Sequence, residues 1–171
     1  MTHSLQRFLP LFLVFLFGAP ALAAPLQVQK VTDGVYALVG DIGQRSPENF
    51  GNNATFGMIV TNDGVVLVDP GGSYNGAKQI HEAVRSITDK PVRLVINTGG
   101  QDHRWLGNGY FKAQGTRIVA SKAAVADQRA RTTDQLITLN RLVGEKLMVG
   151  TEAVHAEETF EDRLELNIGG V

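Results

Sequence analysis

The segment between residues 55 and 68 constrains the fold more than any other part of the chain. Two nearly continuous apolar runs, Thr55–Val60 and Val65–Val68, are joined by Asn62-Asp63-Gly64. An Asp-Gly pair between apolar runs is a strong signal for a β-hairpin. Continuous apolar strands are typical of strands that are covered on both faces. At 171 residues, this pattern favours a single α/β domain with layers on each side of a sheet.

Periodic patterns predict the elements around this hairpin. Alternating or continuous short apolar runs predict strands, and they cover residues 26–31, 35–39, 92–96, 116–120 and 160–168. Apolar residues at helical spacing predict helices, over residues 76–88, 105–113, 123–130 and 134–143. Strand 26–31 alternates, as a half-buried strand does. Ser121 is placed to cap the helix that follows it.

The last predicted strand has no evident partner. In residues 160–168, Leu164, Leu166 and Ile168 share one side, and Gly169-Gly170 is a hairpin turn signal. A strand with an apolar face and no partner exposes both ladder groups and apolar surface. We therefore expect that the sequence covers only part of a complete fold, or that an oligomer covers this edge.

Residues 1–23 have the pattern of a secretory signal peptide. Arg7 precedes an apolar core over residues 8–18, and residues 21–23, Ala-Leu-Ala, match a small-x-small cleavage site. An uncleaved membrane anchor is the alternative, but the apolar run is short for a bilayer. We expect a mature domain over residues 24–171 that is periplasmic or secreted, without stable membrane insertion.

Composition restricts the chemistry. The chain has no cysteine, which excludes disulfides, thiolate metal sites and a cysteine nucleophile. Its net charge of -1 gives no reason to expect a nucleic-acid partner. Any metal must be held by His, Asp or Glu, and the four histidines are His3, His81, His103 and His155. His3 belongs to the signal peptide, His81 flanks a helix face, and the polar stretch around His155 indicates a surface position.

The loop after strand 92–96 is the best candidate for a site. It contains Gly99, Gly100, Asp102 and His103, and loops at the carboxyl ends of strands in α/β folds are where ligands bind. Trp105 follows the loop and is interpreted as a core residue, with ligand contact as the alternative.

Two other features have open interpretations. Asp69 directly follows a buried strand, so it is either a turn residue or a functional carboxylate. Residues 40–53 have no apolar periodicity. They form either a plain surface connection, which is the commoner case, or a flap over a site.

Two short motifs in this order carry a family resemblance. Val66-Leu-Val-Asp69 follows the hairpin, and Ile96-Asn-Thr98 leads through to His103. This order resembles the N-terminal half of the metallo-β-lactamase-fold hydrolases, and among them the exported branch related to quinoprotein-linked zinc metallohydrolases. The resemblance implies an αββα sandwich, of which residues 24–171 form about the N-terminal half.

The same resemblance implies a degenerate zinc loop. The family signature is His-x-His-x-Asp-His, in which the first two histidines hold one zinc and the last two residues hold a second. Counted forward from Thr98, Gly99 and Gln101 stand at the two histidine positions, and Asp102 and His103 match the last two residues, although the chain lacks the one residue that the signature has between the second histidine and the aspartate. Asp69 matches a supporting carboxylate near the site. Catalytic zinc sites usually have three protein ligands and a water, so Asp102 and His103 are too few by themselves.

Three functional hypotheses follow. In the first, a zinc ion on Asp102 and His103, completed by ligands from elsewhere, activates water to hydrolyse an ester, thioester, lactam or phosphoester, or Asp102 acts as the general base. In the second, the chain is a non-catalytic exported scaffold or binding protein, and Gly99-Gly100 lets a ligand approach the backbone. In the third, it is an inactive fragment. Metal-dependent hydrolase is the family description, but weak or no activity is expected of this chain.

Overall fold

A computed structural model of the chain describes residues 25–170. The predicted signal peptide, residues 1–23, and the predicted domain start at residue 24 lie outside the described residues. Within residues 25–170, no helix has the length and apolar character needed to cross a membrane.

One sheet of seven strands, in the order of the chain, organises the fold. The strands are β1 Gln27–Thr32, β2 Val35–Val39, β3 Thr55–Val60, β4 Val65–Val68, β5 Val92–Asn97, β6 Arg117–Ser121 and β7 Glu158–Phe160. The helices are α1 Tyr74–Arg85, α2 Asn108–Lys112, α3 Lys122–Leu142 and α4 Glu145–Met148, and a short 3-10 turn spans Asp102–Arg104. Pairing is antiparallel from β1 to β4 and parallel from β4 to β7. The mixed α/β class is therefore confirmed, and the carboxyl ends of β4, β5 and β6 share one edge of the sheet.

The β3–β4 hairpin lies at the centre of the sheet. Along β4, Val65 and Leu67 belong to the main core, while Val66 belongs to a second cluster on the other side of the strand. All three side chains are buried, and each contributes roughly 1.5–3 kcal/mol when fully removed from water. The prediction of two buried faces is confirmed for β4, whereas Ile59 and Val60 of β3 are only half-buried.

Strand β1 is a strand as predicted, but it is not half-buried. All of its residues are exposed, and Val28 and Val31 expose 39% and 67% of their surfaces. The cause is its position at the end of the sheet, where it pairs only with β2. Alternation in the sequence therefore predicted the strand but not its environment.

Helix α1 begins earlier than the periodicity predicts because Ser73 caps it. The Ser73 Oγ accepts a hydrogen bond from the Gly76 N–H at 2.9 Å, which satisfies a free donor of the first turn. Ala77, Ile80 and Val84 form its buried face, as the helical spacing predicts. The helix thereby packs over the sheet and fixes the chain that leads into it from Asp69.

Helix α3 is one helix of 21 residues rather than two. Ser121 caps it as predicted, because its side chain accepts a hydrogen bond from the Ala124 N–H. The gap between the two predicted ranges, residues 131–133, contains Thr132 and Thr133, whose β-branched side chains lower helix propensity. Thr132 Oγ1 instead donates to the Gln128 carbonyl at 2.8 Å, a local bond that is compatible with a continuous helix.

The predicted helix 105–113 is shorter, because α2 starts only after Gly107. The Gly107 N–H donates to the Gly71 carbonyl at 2.8 Å. A Cβ at Gly107 would lie 2.2 Å from the Pro70 carbonyl oxygen. This close approach joins the segment after β4 to the segment after β5.

The predicted strand 160–168 is wrong beyond its first residue. β7 ends at Phe160, and Leu166 and Ile168 then pack against the cluster of Val66, Leu94 and Val119 on the second face of the sheet. These apolar side chains therefore have partners within the chain. Alternation could not distinguish a strand from an irregular segment that lies across a sheet.

Candidate functional site

Asp69 joins the ends of β4 and β5. Its backbone has a φ of 63°, a left-handed conformation that Asp adopts more readily than most residues. Its carboxylate accepts hydrogen bonds from the Thr98 N–H at 2.8 Å and the Thr98 hydroxyl at 2.7 Å. Burial raises the pKa of Asp69, while the bonds from Thr98 act in the opposite direction. Asp69 is thus a turn residue that also orients the start of the candidate loop.

Asp102 and His103 lie together at the start of the 3-10 turn. The Asp102 Oδ1 accepts a hydrogen bond from the His103 N–H at 2.7 Å, and the His103 Nδ1 lies 3.2 Å from the same oxygen. Asp102 is buried, and His103 is half-buried. The structure therefore brings together the two side chains that the sequence selects.

A third side chain, Arg45, completes this cluster. Its Nη2 donates to the Asp102 Oδ1 at 2.6 Å, and its Nε lies 2.6 Å from Oδ2. The same Nη2 lies 3.4 Å from the His103 Nδ1. One of the two contacts is a charge-assisted hydrogen bond, which is stronger than a neutral one, and the other is an ion-pair contact without hydrogen-bond geometry. Residues 40–53 therefore reach the loop through Arg45, which favours the flap interpretation over a plain surface connection.

Sequence reasoning missed Arg45. The only available signal was a single arginine in a segment rich in glycine and asparagine. Its position depends on Asn49, whose side chain accepts hydrogen bonds from the Ser46 and Gly51 N–H groups and donates to the Gln44 carbonyl. These bonds curl the backbone on either side of Arg45, and no periodic pattern encodes them.

Arg45 and His103 determine the charge of Asp102. Burial alone would raise the pKa of Asp102, but hydrogen bonds from His103 and Arg45 and the positive charge of Arg45 outweigh it and hold the pKa at about 2. The carboxylate is therefore ionised at neutral pH. Such an acidic group is a weak proton acceptor there, because general bases work best with a pKa near the operating pH.

Arg104 occupies the space beside Gly99 and Gln101. Its Nη1 donates to the Thr98 hydroxyl at 2.8 Å, and its Nε donates to the Gln101 Oε1 at 3.0 Å. A Cβ at Gly99 would lie 3.3 Å from the Arg104 Cδ. Gly99 and Gln101, which the resemblance aligns with histidines, thus both adjoin an arginine side chain.

Helix α3 braces the loop from the other side. Gln128 donates to the Gly99 carbonyl at 3.1 Å, and Gln135 donates to the Gly100 carbonyl at 2.7 Å. The Gln135 Oε1 accepts from the indole N–H of Trp105 at 3.0 Å. Trp105 is fully buried, which confirms the core interpretation. These contacts hold the loop backbone by groups that are neither metal ligands nor charges.

The two remaining described histidines lie outside this cluster. The His81 Nδ1 lies 2.9 Å from the Tyr110 hydroxyl, so His81 joins α1 to α2. His155 stacks on Trp105, with ring centroids 4.7 Å apart, and its Nδ1 lies 3.3 Å from the Gln128 Oε1. The surface interpretation of His155 is wrong, since its ring is half-buried. Burial, and then the charge of Arg129, lower the pKa of His155.

The side chains of the loop do not complete a metal site in the part of the chain that the structure describes. Among residues 25–170, no group of three or more His, Cys, Asp or Glu side chains could hold a metal ion. Both oxygens of Asp102 contact Arg45. Zinc requires about four ligands, so the residues present do not fit this ion.

A cavity of about 360 Å³ lies between this cluster and α3. Every lining residue carries a polar or charged group, although apolar atoms form most of the exposed wall, and both members of the Arg45–Asp102 pair are among them. The lining residues are Arg45, Gln101, Asp102, Arg131, Asp134, Gln135 and Thr138. The volume is within the range of small-molecule sites.

Comparison with known proteins identifies the fold. Residues 50–129 match the family model of the metallo-beta-lactamase superfamily. A metallo-beta-lactamase from Pontibacter korlensis is 17% identical, with a TM-score of 0.57 over 85% of this chain and 57% of that one. A HARLDQ-motif mutant of a metallo-beta-lactamase from Cronobacter sakazakii is 19% identical, with a TM-score of 0.59 over 85% of this chain and 52% of that one.

A third similar structure was solved with metal. It is a metallo-beta-lactamase from Pseudomonas aeruginosa in the mono-zinc form, 17% identical, with a TM-score of 0.52 over 64% of this chain and 48% of that one. At these identities, the likeness shows the metallo-β-lactamase fold alone. The chain spans about half the length of the solved structures that it matches.

Proposed function

We propose that this chain is an exported, non-catalytic binding domain of the metallo-β-lactamase fold with a degenerate metal loop. The match of residues 50–129 to the family model of the metallo-beta-lactamase superfamily supports the fold. The observation that carries the proposal is the ligand set of the loop. Asp102 and His103 are its only described side chains of a type that binds zinc, and a catalytic zinc site usually needs three. Gly99 has no side chain, and the Gln101 amide accepts from Arg104.

The cavity beside the loop supports a binding role. The residues that line it include Arg131, Gln101 and Thr138, whose side chains all carry hydrogen-bond donors. A few polar groups around a small cavity are typical of sites that orient a small molecule. We propose that this cavity binds a small polar molecule and that the chain has no nucleic-acid partner.

Residues 1–23 support an extracytoplasmic location. They combine a positive start, an apolar core and a small-x-small site. We propose that the mature domain acts in the periplasm or outside the cell, without stable membrane insertion. Detection of a mature N-terminus at residue 24 in a secreted fraction would support this, and a chain that keeps residues 1–23 would contradict it.

A zinc-dependent hydrolase is the second candidate. It is favoured by the family match and by a similar structure described as a mono-zinc form. Asp102 and His103 would be the metal ligands, together with ligands from outside residues 25–170. The substrates would be esters, thioesters or lactam-like compounds, as the family resemblance implies.

Zinc content separates the two candidates. The purified mature chain is dialysed against zinc, and the bound metal is measured, with hydrolysis of a chromogenic β-lactam, an aryl ester and a thioester as a second readout. We expect neither stoichiometric zinc nor turnover. One equivalent of zinc that is lost in His103→Ala would overturn the binding-domain proposal.

A gain-of-binding variant provides the matched control. Gly99→His/Gln101→His adds two histidines beside Asp102 and His103, and the Gly99 side of the loop has room because only the flexible Arg104 side chain is close. We expect this variant to bind zinc. This result would show that the assay detects zinc on this scaffold.

A further inference from the structure

The Arg45 guanidinium lies where one cation can contact both candidate ligands. Its Nη2 is 2.6 Å from the Asp102 Oδ1 and 3.4 Å from the His103 Nδ1. Its Nε reaches the other Asp102 oxygen at 2.6 Å. A positive charge of the chain itself therefore neutralises the carboxylate that the family resemblance assigns to a metal.

Arg45 belongs to the flap, defined as residues 40–53, and contacts other than those of Arg45 hold the base of the flap in place. Asn52 is fully buried. Its side chain donates to the Gly76 carbonyl at 2.9 Å and accepts from the Gly72 N–H at 3.2 Å. Nearer the tip, Ile42 is completely exposed. Arg45 thus makes the principal side-chain link between the outer part of the flap and the loop.

Arg45 and a divalent cation exclude each other at this position. A metal ion that bound both Asp102 and His103 would meet the Arg45 guanidinium within a few ångströms, and Arg104 lies against the same loop. Like charges at about 4 Å repel strongly when they are partly removed from water. A metal could therefore bind only after the flap released Asp102.

We propose that Arg45 is a built-in substitute for the metal ion, and that the closed flap keeps divalent cations away from Asp102 and His103. This inference rests on the proposed function, because it assumes that the wild-type chain has no resident zinc. It adds a second obstacle to zinc binding: besides the missing ligands, the Asp102 carboxylate is already occupied by Arg45. It also makes the Arg45–Asp102 contact one wall of the cavity beside α3.

Zinc and cobalt titrations of Arg45 variants test the proposal. Arg45→Met removes the charge but keeps much of the apolar stem. Arg45→Lys keeps the positive charge but lacks the forked donors of the guanidinium. Arg131→Met is the matched control. Arg131 lines the same cavity but pairs with Asp127 rather than Asp102. Affinity is measured by calorimetry with zinc and by visible absorbance with cobalt, after circular dichroism has shown that each variant is folded.

We expect Arg45→Met to bind zinc at least about tenfold more tightly than wild type, Arg45→Lys to show a smaller gain, and Arg131→Met to show none. A folded Arg45→Met with unchanged zinc affinity would overturn this inference and leave the proposed function standing. Stoichiometric zinc in the wild type would instead overturn the proposed function.

Wild-type NMR gives a test that needs no variant. We expect the Arg45 Nε–H signal to exchange with water more slowly than that of Arg131, and to persist in a tenfold excess of zinc. Fast exchange, or loss of the Arg45 signal at equimolar zinc, would contradict the closed flap.

Discussion

Replacement of Arg45 by methionine should destabilise the fold substantially. The substitution leaves Asp102 charged, with only 7% of its side chain exposed, while the Arg45 side chain in the wild type exposes 22%. Removal of one partner from a buried ion pair costs roughly 3–5 kcal/mol, because the other charge stays buried and unpaired. Since Arg45 is partly exposed, we expect the lower end, about 3 kcal/mol.

A double-mutant cycle isolates the ion pair from the packing of the arginine stem. Asp102→Asn removes the charge and keeps an oxygen that can accept from the His103 N–H. In Arg45→Met/Asp102→Asn, no unpaired charge remains at this pair. We therefore expect the double variant to lose less stability than the sum of the single variants, with a coupling energy of about 2–3 kcal/mol.

The measurement is urea unfolding of the four proteins, followed by circular dichroism and tryptophan fluorescence. Trp105 is the only tryptophan and is fully buried, so its emission reports on the core behind the loop. Lys112→Met is the control, since the Lys112 and Glu157 side chains of that ion pair are 42% and 74% exposed and exposed pairs contribute about 0–1 kcal/mol. If Arg45→Met costs no more than Lys112→Met, or if the coupling is below about 0.5 kcal/mol, the reasoning is refuted.

Three further predictions concern the loop. The pKa of Asp102 is about 2 in the folded protein, against an ordinary value of 3.8. The ionised Asp102 therefore contributes about 2 kcal/mol of stability above pH 4, which is lost as the pH falls toward 2. Urea unfolding from pH 5 to pH 2 should show this loss in the wild type and not in Asp102→Asn. Gly100→Ala should cost about 1–3 kcal/mol, because its Cβ would lie 2.1 Å from an Asp127 oxygen and 2.7 Å from the Asp127 Cβ, whereas thermal melting should show that Gly99→Ala is tolerated. Asp69→Ala should cost about 2–3 kcal/mol, since it loses two hydrogen bonds and places alanine at a positive φ. Asp69→Asn should stay within about 1 kcal/mol of wild type by the same melting assay. Equal losses in the two variants would contradict this account.

The parts of the fold that could be predicted are those encoded by neighbouring residues. The β3–β4 hairpin follows from a turn signal between apolar runs, and α1 follows from Ala77, Ile80 and Val84 at helical spacing. The position of the site follows as well, because a strand that is followed by a polar loop marks one edge of an α/β sheet. The loop position and the family resemblance together selected Asp102 and His103 as candidate residues, and the structure places both side chains at that edge.

The parts that could not be predicted depend on contacts between distant segments. Arg45 and Asp102 are 57 positions apart, and their contact requires a backbone curl held by the Asn49 side chain. His155 reaches Trp105 from a polar stretch, for which composition indicated exposure. In each case, one side chain contacts another that is distant in the sequence, and neither periodicity nor turn chemistry predicts such contacts.

These distant contacts also predict that the loop keeps its shape without a metal. Gln128 and Gln135 bind the Gly99 and Gly100 carbonyls, Asp69 holds Thr98 at the other end, and Arg45 neutralises the central carboxylate. Each contact fixes a different part of the loop, so the loss of any one leaves the others in place. Zinc often contributes directly to folding where it is the main link between segments. Here the protein supplies those links itself, so the loop should need no metal to fold. The Gly99→His/Gln101→His variant should accordingly bind zinc on a loop that is already ordered, and its apo form should melt as one cooperative unit.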